Sequence, residues 1–301
     1  MTTMTIARRG FTLVELLLSL VVSAIVGAAL VRMVLSQARF MDQQEAWRGA
    51  RSVSRGGINR LLSDLRVVEA TGGLEAAAAG GQDFTVRVPY AFGIMCSTTG
   101  ASTTLSILPV DSAMFAAPGF SGFAWRSAAG AYTYQTAGVS LTNPGTTLNC
   151  TAAVPVTIHP LTFGALPSIN GSPAGKVINV GGAVPLVGAG GPAVGSIFFL
   201  FRRVRYEFKA STALPGRTGL YRTMLSGGTT EEIATPFAAT ARVNFYVLNS
   251  ATAQAAVPGT LPNVRGFELK LDGMSERTPG GSSAPKTASV TTSVFFENRP
   301  D

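Results

Sequence analysis

Residues 8–35 read RRGFTLVELLLSLVVSAIVGAALVRMVL, and this stretch limits how the rest of the chain can be arranged. Two arginines and a glycine precede about twenty apolar residues, the length that a helix needs to cross the hydrocarbon core of a bilayer. One acid, Glu15, interrupts the run. A carboxylate at the centre of a membrane helix costs about 2.5–3.5 kcal/mol on insertion scales. Glu15 should therefore have a positively charged partner.

The flanking charges predict the orientation of this segment. Because basic residues stay on the cytoplasmic side, Arg8 and Arg9 predict that the C-terminal part of the chain lies across the membrane. Arg32 marks the far end of the span, where its side chain can reach the interface. A cleavable secretory signal would place its cleavage site after a shorter apolar stretch, which does not match this segment. An ordinary signal anchor with an incidental acid stays open as an alternative.

The junction GFTLVE at residues 10–15 resembles the processing site of the type IV pilin superfamily, which includes major pilins, minor pilins and the pseudopilins of type II secretion. The resemblance implies that a prepilin peptidase removes a leader, residues 1–10, by cutting between Gly10 and Phe11. It also implies that the new amine of Phe11 is methylated and that Glu15 pairs with the Phe11 amine of a neighbouring subunit. Opposite charges in low dielectric are much less costly together than apart.

The same resemblance implies partners and a location. The partners would be other major and minor pilins or pseudopilins, the prepilin peptidase, an inner-membrane assembly platform and the lipid bilayer. The protein would cross the inner membrane once with a periplasmic C-terminal domain, and after assembly would lie in a cell-surface pilus or a periplasmic pseudopilus. Met4 offers a second start that would shorten the leader, and the sequence does not choose between the two starts.

Composition predicts a β-rich body after the helix. The chain has 301 residues, of which 13% are charged and 46% hydrophobic, with 34 glycines and 17 prolines. Low charge with many turn formers favours strands and loops, and the hydrophobic content is too high for a disordered chain.

The net charge of +8 raises a nucleic-acid interpretation. Losing Arg8 and Arg9 with the leader would lower this charge by two, to +6. The arginines are spread along the chain, and the densest group is Arg202, Arg203 and Arg205. A solvated strand face, or a contact with anionic lipid, is the favoured interpretation of that group, so DNA is a less favoured partner.

Two cysteines, Cys96 and Cys150, would reach an oxidising compartment after translocation, where disulfides persist. A bridge between them would close a loop of about 55 residues and stabilise the domain by about 4 kcal/mol on the chain-entropy model. Two unrelated buried thiols are the alternative.

The N-terminal helix should continue well past the membrane. We expect a membrane segment at 11–35 and a second half at 36–70, followed by the stop signal Thr71-Gly72-Gly73. Such a helix would be about 90 Å long. The glycines at 56 and 57 weaken it locally and suggest a bend. One apolar stripe recurs along it at helical spacing: Phe40, Trp47, Ile58, Leu61, Leu65 and Val68. Its membrane-distal part, from Ile58, is the more apolar and should dock on the body, whereas the polar portion 48–55 should face solvent or neighbouring subunits.

The body, 71–301, has an irregular sequence pattern in its first part and a regular one in its second. Residues 71–195 read as an irregular insertion with short strand candidates at 84–88, 104–108, 154–158 and 176–180. From 196 onward, apolar and polar residues alternate with a period of two, which predicts an antiparallel sheet with one buried face. The alternating apolar residues are Val204, Tyr206, Phe208, Val243, Phe245, Val247, Phe267, Leu269 and Leu271. The end of the long helix should cover that face, giving an α+β fold.

The order of segments in the C-terminal hundred residues is similar to that of PilW/PulJ-type minor pilins, which sit among the initiating subunits of pilus or pseudopilus tips. The segments are those around Val204-Arg205-Tyr206, Gly219-Leu220-Tyr221, Val243-Asn244-Phe245 and Val264-Arg265-Gly266, and 295–299 near the end. Major pilins usually carry a proline about two-thirds along the membrane segment, and Arg32 stands near that place here. This departure favours a minor subunit.

Signatures of an enzyme or a cofactor site are weak. The only histidine, His159, stands alone, and two cysteines with one histidine lack the spacing of a zinc site. The glycine-rich run at 188–193 contains Pro192 and leads into an apolar strand, which does not fit a dinucleotide-binding loop. The acids Asp111, Asp272 and Glu276 could hold structural calcium but lack the spacing of a calcium loop. We expect neither catalysis nor a cofactor.

The sequence therefore predicts a minor pilin or pseudopilin. It would be processed between Gly10 and Phe11 and assembled through its N-terminal helix into a type IV pilus or a type II secretion pseudopilus, in the tip or priming complex. A DNA-uptake or adhesive tip module on such a filament is the alternative function. The sequence does not distinguish a type IV pilus from a type II secretion or competence machine.

Overall fold

The computed structural model describes residues 12–99, 102–107, 111, 119–127, 131–136, 140–142, 155–158, 161–165, 176–181 and 196–296. Within these ranges the chain forms one long α-helix and fifteen β-strands. They are α1 (Leu13–Leu65), β1 (Leu74–Ala77), β2 (Asp83–Thr99), β3 (Ser102–Ile107), β4 (Phe120–Arg126), β5 (Tyr132–Gln135), β6 (Ser140–Thr142), β7 (Pro155–Ile158), β8 (Leu161–Ala165), β9 (Lys176–Gly181), β10 (Ile197–Ala210), β11 (Thr218–Met224), β12 (Thr230–Phe237), β13 (Arg242–Val247), β14 (Val264–Met274) and β15 (Thr287–Phe295).

The helix α1 is one continuous element that passes through both Gly56 and Gly57. It ends at Leu65, before the end expected at 70, and the chain then turns back toward β1. Gly72 in this turn has a positive φ of 83°, and a Cβ at Gly73 would lie 2.2 Å from a backbone carbonyl oxygen. The glycines therefore serve the turn itself, and the helix ends about two helical turns before them.

The sheet contains thirteen of the strands, in the order β13-β14-β12-β11-β10-β2-β3-β9-β6. The strands β1, β4, β5 and β15 pair outside this path, and β7 with β8 forms a separate hairpin. All the pairings are antiparallel. The β10 strand is central, because it pairs with β11, β2 and β4.

Part of the segment that the sequence marks as irregular belongs to this main sheet. The candidate strand at 84–88 is the start of the 17-residue strand β2, whose Phe84, Val86 and Val88 are buried. Pro89 and a bulge where β2 meets β10 break the regular alternation there. A pattern of period two cannot follow a strand across such a break.

The alternation predicted for the C-terminal strands is confirmed. On β10, Val204 and Tyr206 are fully buried, and on β14 the same holds for Phe267, Leu269 and Leu271. These side chains share one face of the sheet, and Phe84 joins them with its ring centroid 5.4 Å from that of Tyr206 and 5.1 Å from that of Phe267.

The end of α1 covers this face, as predicted. Ile58, Leu61 and Leu65 are buried in the same apolar cluster as Phe267 and Leu271. The fold is therefore α+β, with a long N-terminal helix on an antiparallel sheet.

The helix approaches β14 closely at Ser54, which is fully buried. Its hydroxyl accepts a hydrogen bond from the backbone N–H of Gly273 at 2.8 Å. The same hydroxyl lies 2.8 Å from the carbonyl oxygen of Ala288 and 3.0 Å from that of Leu271, and can donate to either. A Cβ at position 273 would lie 2.2 Å from the carbonyl oxygen of Ala50. The distance between helix and sheet therefore requires glycine at this position.

We predict that Gly273→Ala lowers the free energy of unfolding by about 2 kcal/mol or more, because the new methyl group forces α1 away from β14. The matched control is Gly56→Ala, where an added Cβ has nothing within 4 Å. That change should stabilise the helix by up to about 1 kcal/mol. Urea denaturation of the detergent-solubilised full-length protein measures both effects, and equal stability of the two variants would contradict the prediction.

Candidate assembly site on the N-terminal helix

The first half of α1 has no contact with the body. From residue 13 to residue 49 none of its residues is buried, and Ala50 is the first that is. Asp42 is the first residue of α1 with a hydrogen bond to the body, so at 1.5 Å per residue about 43 Å of helix projects free of it. Its apolar side chains are strongly exposed, with Leu13 at 75% and Leu20 at 68%. By length and composition α1 can span a membrane.

Glu15 lies at the start of this projecting helix and takes part in a capping box with Thr12. One carboxylate oxygen of Glu15, Oε2, accepts hydrogen bonds from the backbone N–H of Thr12 at 3.2 Å and from its hydroxyl at 3.3 Å. The backbone N–H of Glu15 donates to the same hydroxyl at 3.3 Å. The Thr-x-x-Glu spacing is a sequence signature of a helix N-terminus, so the sequence alone could have predicted this cap.

The cap leaves the second carboxylate oxygen available. Oε1 of Glu15 accepts no hydrogen bond from the described residues, so it can accept one from an ammonium group. Gly10 and Phe11, between which cleavage is expected, lie outside the described residues. The structure thus places the acid at the first turn of the helix, next to the expected new N-terminus.

The second half of α1 is attached to the sheet by a charged contact as well as by apolar packing. Asp64 accepts hydrogen bonds at Oδ2 from the hydroxyl of Tyr206 at 2.5 Å and from Nε of Arg222 at 2.9 Å. Burial, together with the Asp64 carboxylate, raises the pKa of Tyr206 well above its usual value. Burial alone would lower the pKa of Arg222, but Asp64 and Tyr206 outweigh it and raise that pKa. No local pattern in the sequence signals this contact, because Asp64 is 142 residues from Tyr206.

The arginine group on β10 is largely neutralised by carboxylates. Arg203 pairs with Glu75 at 2.5 Å, and Arg205 pairs with Asp83 at 2.6 Å. Arg202 stacks over the ring of Tyr90, with its Cζ 4.4 Å from the ring centroid. A nucleic-acid surface requires free cations that can reach phosphates, and two of these three arginines are already paired.

The three acids considered for calcium do not come together. Asp272 accepts hydrogen bonds from the hydroxyls of Thr240 and Ser289, each at 2.5 Å. Asp111 accepts one from the backbone N–H of Phe92 at 2.9 Å, and Glu276 is exposed. Among the described residues no three His, Cys, Asp or Glu side chains are grouped in a way that could hold a metal ion.

The structure leaves the cysteine and histidine predictions untested. Cys96 is the bulged residue of β2 opposite β3, where the register shifts between Met95 and Ser97. Cys150 and His159 lie outside the described residues.

We predict that Asp64→Ala lowers the free energy of unfolding by about 2–4 kcal/mol, because it leaves the Tyr206 hydroxyl and the Arg222 guanidinium without their partner. The matched control is Asp83→Ala on the more exposed pair with Arg205, whose side chain is 41% exposed. That change should cost less than about 1 kcal/mol. Urea denaturation of the full-length protein in detergent measures both, and a smaller effect for Asp64 than for Asp83 would show the prediction to be wrong.

Comparison with known proteins identifies the N-terminal segment. Residues 6–31 match the family model described as the prokaryotic N-terminal methylation motif. No curated protein and no solved structure matches the chain significantly. The motif implies assembly with other pilins and processing by a prepilin peptidase, and it suggests a structural subunit rather than an enzyme. Together with the exposed apolar helix, it supports a membrane-anchored, type IV pilin-like subunit.

Proposed function

We propose that the protein is a minor pilin or pseudopilin that enters a filament through its N-terminal helix. One observation carries the proposal: about 43 Å of α1, from Leu13 to Met41, projects from the body, and its apolar side chains are exposed. Such a surface is stable in a bilayer or among similar helices but not in water.

The proposed mechanism of assembly begins with cleavage between Gly10 and Phe11. Cleavage creates an ammonium group at Phe11, which is then methylated. The free Oε1 atom of Glu15 in one subunit then accepts a hydrogen bond from this ammonium in its neighbour. In the low dielectric of the membrane each charge would be costly alone, so the pair favours one register of the two helices.

The proposed location follows from the basic leader. Arg8 and Arg9 would stay in the cytoplasm, and the sheet domain would lie in the periplasm of a cell with an inner membrane. After assembly the subunit would be part of a cell-surface type IV pilus or a periplasmic type II secretion pseudopilus. Its partners would be other pilins or pseudopilins and the inner-membrane assembly platform.

A place in the tip or priming complex is the more specific part of the proposal. It is supported by Arg32, which stands where a major pilin usually has a proline, and by the loose similarity of the C-terminal segments to PilW/PulJ-type subunits. The sheet of thirteen strands gives a large head, which suits a subunit present in few copies.

We predict that Glu15→Val still inserts and is still cleaved before Phe11, but fails to enter filaments or to pair with sister subunits. The valine keeps the helix apolar and removes the only carboxylate in the membrane segment. The measurements are the mass of the N-terminal peptide from membranes, and the amount of tagged protein in sheared filaments or in complexes with sister subunits.

The control is Ser19→Ala, since Ser19 donates only to the Leu16 carbonyl of its own helix and its loss should leave assembly unchanged. A wild-type peptide that starts at Phe11 and carries one extra methyl group, both lost without the peptidase, supports the proposal. A retained leader in all samples would refute it. Normal incorporation of Glu15→Val would exclude the proposed pairing.

We also propose that Cys96 and Cys150 form a disulfide in the periplasmic domain. Cys96 lies at a bulge in β2, and a bridge would attach the segment after β6 to the main sheet. Non-reducing peptide mapping of freshly isolated protein should find the two cysteines in one linked peptide. Free thiols at both positions would exclude the bridge.

A further inference from the structure

Between residues 42 and 55, the acidic and the basic side chains of α1 are concentrated on different sides of the helix. Arg48, Arg51 and Arg55 are all exposed, and none of them forms an ion pair within the described part of the chain. At 100° per residue the three lie within an arc of about 60° around the helix axis. The guanidinium of Arg51 lies over the ring of Trp47, 5.4 Å from its centroid, and Trp47 is 43% exposed. We call these three arginines the basic face.

A groove with the opposite charge lies between α1 and the turn that follows β14. It has a volume of about 180 Å³, and its lining includes apolar atoms of Val53. Asp42, Glu45 and Glu276 supply three carboxylates to it and Arg277 one guanidinium, so the charged side chains sum to −2. Asp42 also accepts a hydrogen bond from the backbone N–H of Gly280, which holds the turn against the helix. We call this the acidic groove.

We propose that the basic face of one copy of this chain docks in the acidic groove of a second copy. The charge complementarity argues for this occupant, because a single chain carries both members of the pair. The proposal rests on the proposed function, since it assumes that copies lie side by side with parallel helices.

The two surfaces face in different directions, so the contact is not self-complementary. Around the helix axis the basic face is turned by roughly 120° from Asp42 and Glu45. Each copy therefore offers one surface to one neighbour and the other surface to a different neighbour. Contacts of this head-to-tail kind do not close into a two-fold dimer.

The register set by Glu15 agrees with this docking. If the amine of Phe11 in one copy meets Glu15 of its neighbour, the first copy is displaced by four residues, about 6 Å, along the helix. Its Glu45 then lies at the level of residue 49 in the neighbour. Arg48 and Arg51 of the neighbour are within two residues of that level, about 3 Å along the axis. The Phe11–Glu15 pair in the membrane and the pairs of Glu45 with Arg48 or Arg51 outside it thus favour the same displacement of the two helices.

The consequence is that a priming complex would contain at least two adjacent copies of this chain. The contact lies outside the apolar segment, where water and ions reach it, so it should weaken as ionic strength rises. The pair at Glu15 is enclosed by lipid or protein and should depend much less on salt.

The test uses two full-length copies with different tags, co-expressed and cross-linked in intact membranes. The first variant, Arg48→Glu with Arg51→Glu, makes the basic face acidic. The second, Glu45→Lys with Glu276→Lys, makes the groove basic and spares Asp42 because of its hydrogen bond to Gly280. Each variant alone should pair with itself about tenfold less than the wild type.

Mixing the two variants should restore pairing, because the unchanged groove of the first then faces the unchanged arginines of the second. Misfolded chains would not be rescued in this way. The controls Arg60→Glu and Glu231→Lys each reverse one charge of the same kind at an exposed position elsewhere and should leave pairing within about twofold of the wild type.

Unchanged pairing in both reversal variants, or no rescue on mixing, would overturn the docking. If wild-type copies then still pair and Glu15→Val abolishes pairing, the proposed function stands without this contact. If wild-type copies retain the leader and do not pair, the proposed function fails, and the docking fails with it.

Discussion

The rest of the structure depends on how closely α1 approaches the sheet. At Gly273 the carbonyl of Ala50 occupies the space that a side chain would need, and the Ser54 hydroxyl bonds directly to the strand backbone. This short distance lets Ile58, Leu61 and Leu65 reach the aromatic side chains of the sheet. The helix before Asp42 has no hydrogen bond to the body among the described residues, so one helix has a half attached to the body and a free half.

The acids Asp64 and Glu15 differ in the same way as the two halves of the helix in which they lie. Where α1 lies on the sheet, its one acid, Asp64, is used internally and bonds to Tyr206 and Arg222. In the free half, Glu15 bonds only to its own helix cap and keeps one oxygen available. A charged partner for Glu15 must therefore come from beyond the described residues, whereas Asp64 already has both of its partners within the sheet. The position of each acid along the helix explains why one stabilises the fold and the other is available for assembly.

The sequence predicts the fold class and singles out Glu15 as the one acid in the apolar segment. It does not predict the contacts between distant parts of the chain. Period-two patterns located β10, β13 and β14, because those strands have one buried face and few interruptions. The full extent of β2 escaped, because Pro89 and a bulge break its pattern. From the sequence alone Gly57 suggests a bend, whereas in the structure a Cβ there would lie 2.8 Å from the ring of Phe237. Such a requirement comes from a side chain 180 residues away and leaves no local signal.

The free half of the helix explains why a single acid is sufficient for its proposed role. Apolar helices in a bilayer have little hydrophobic preference for one another, because lipid tails are as apolar as leucine. The residues from Leu13 to Leu35 could therefore slide past a neighbour at little cost. A carboxylate at one level and an ammonium four residues earlier remove that freedom, since any other register leaves two charges unpaired in low dielectric. The apolar residues then supply contact area, and Glu15 supplies the position.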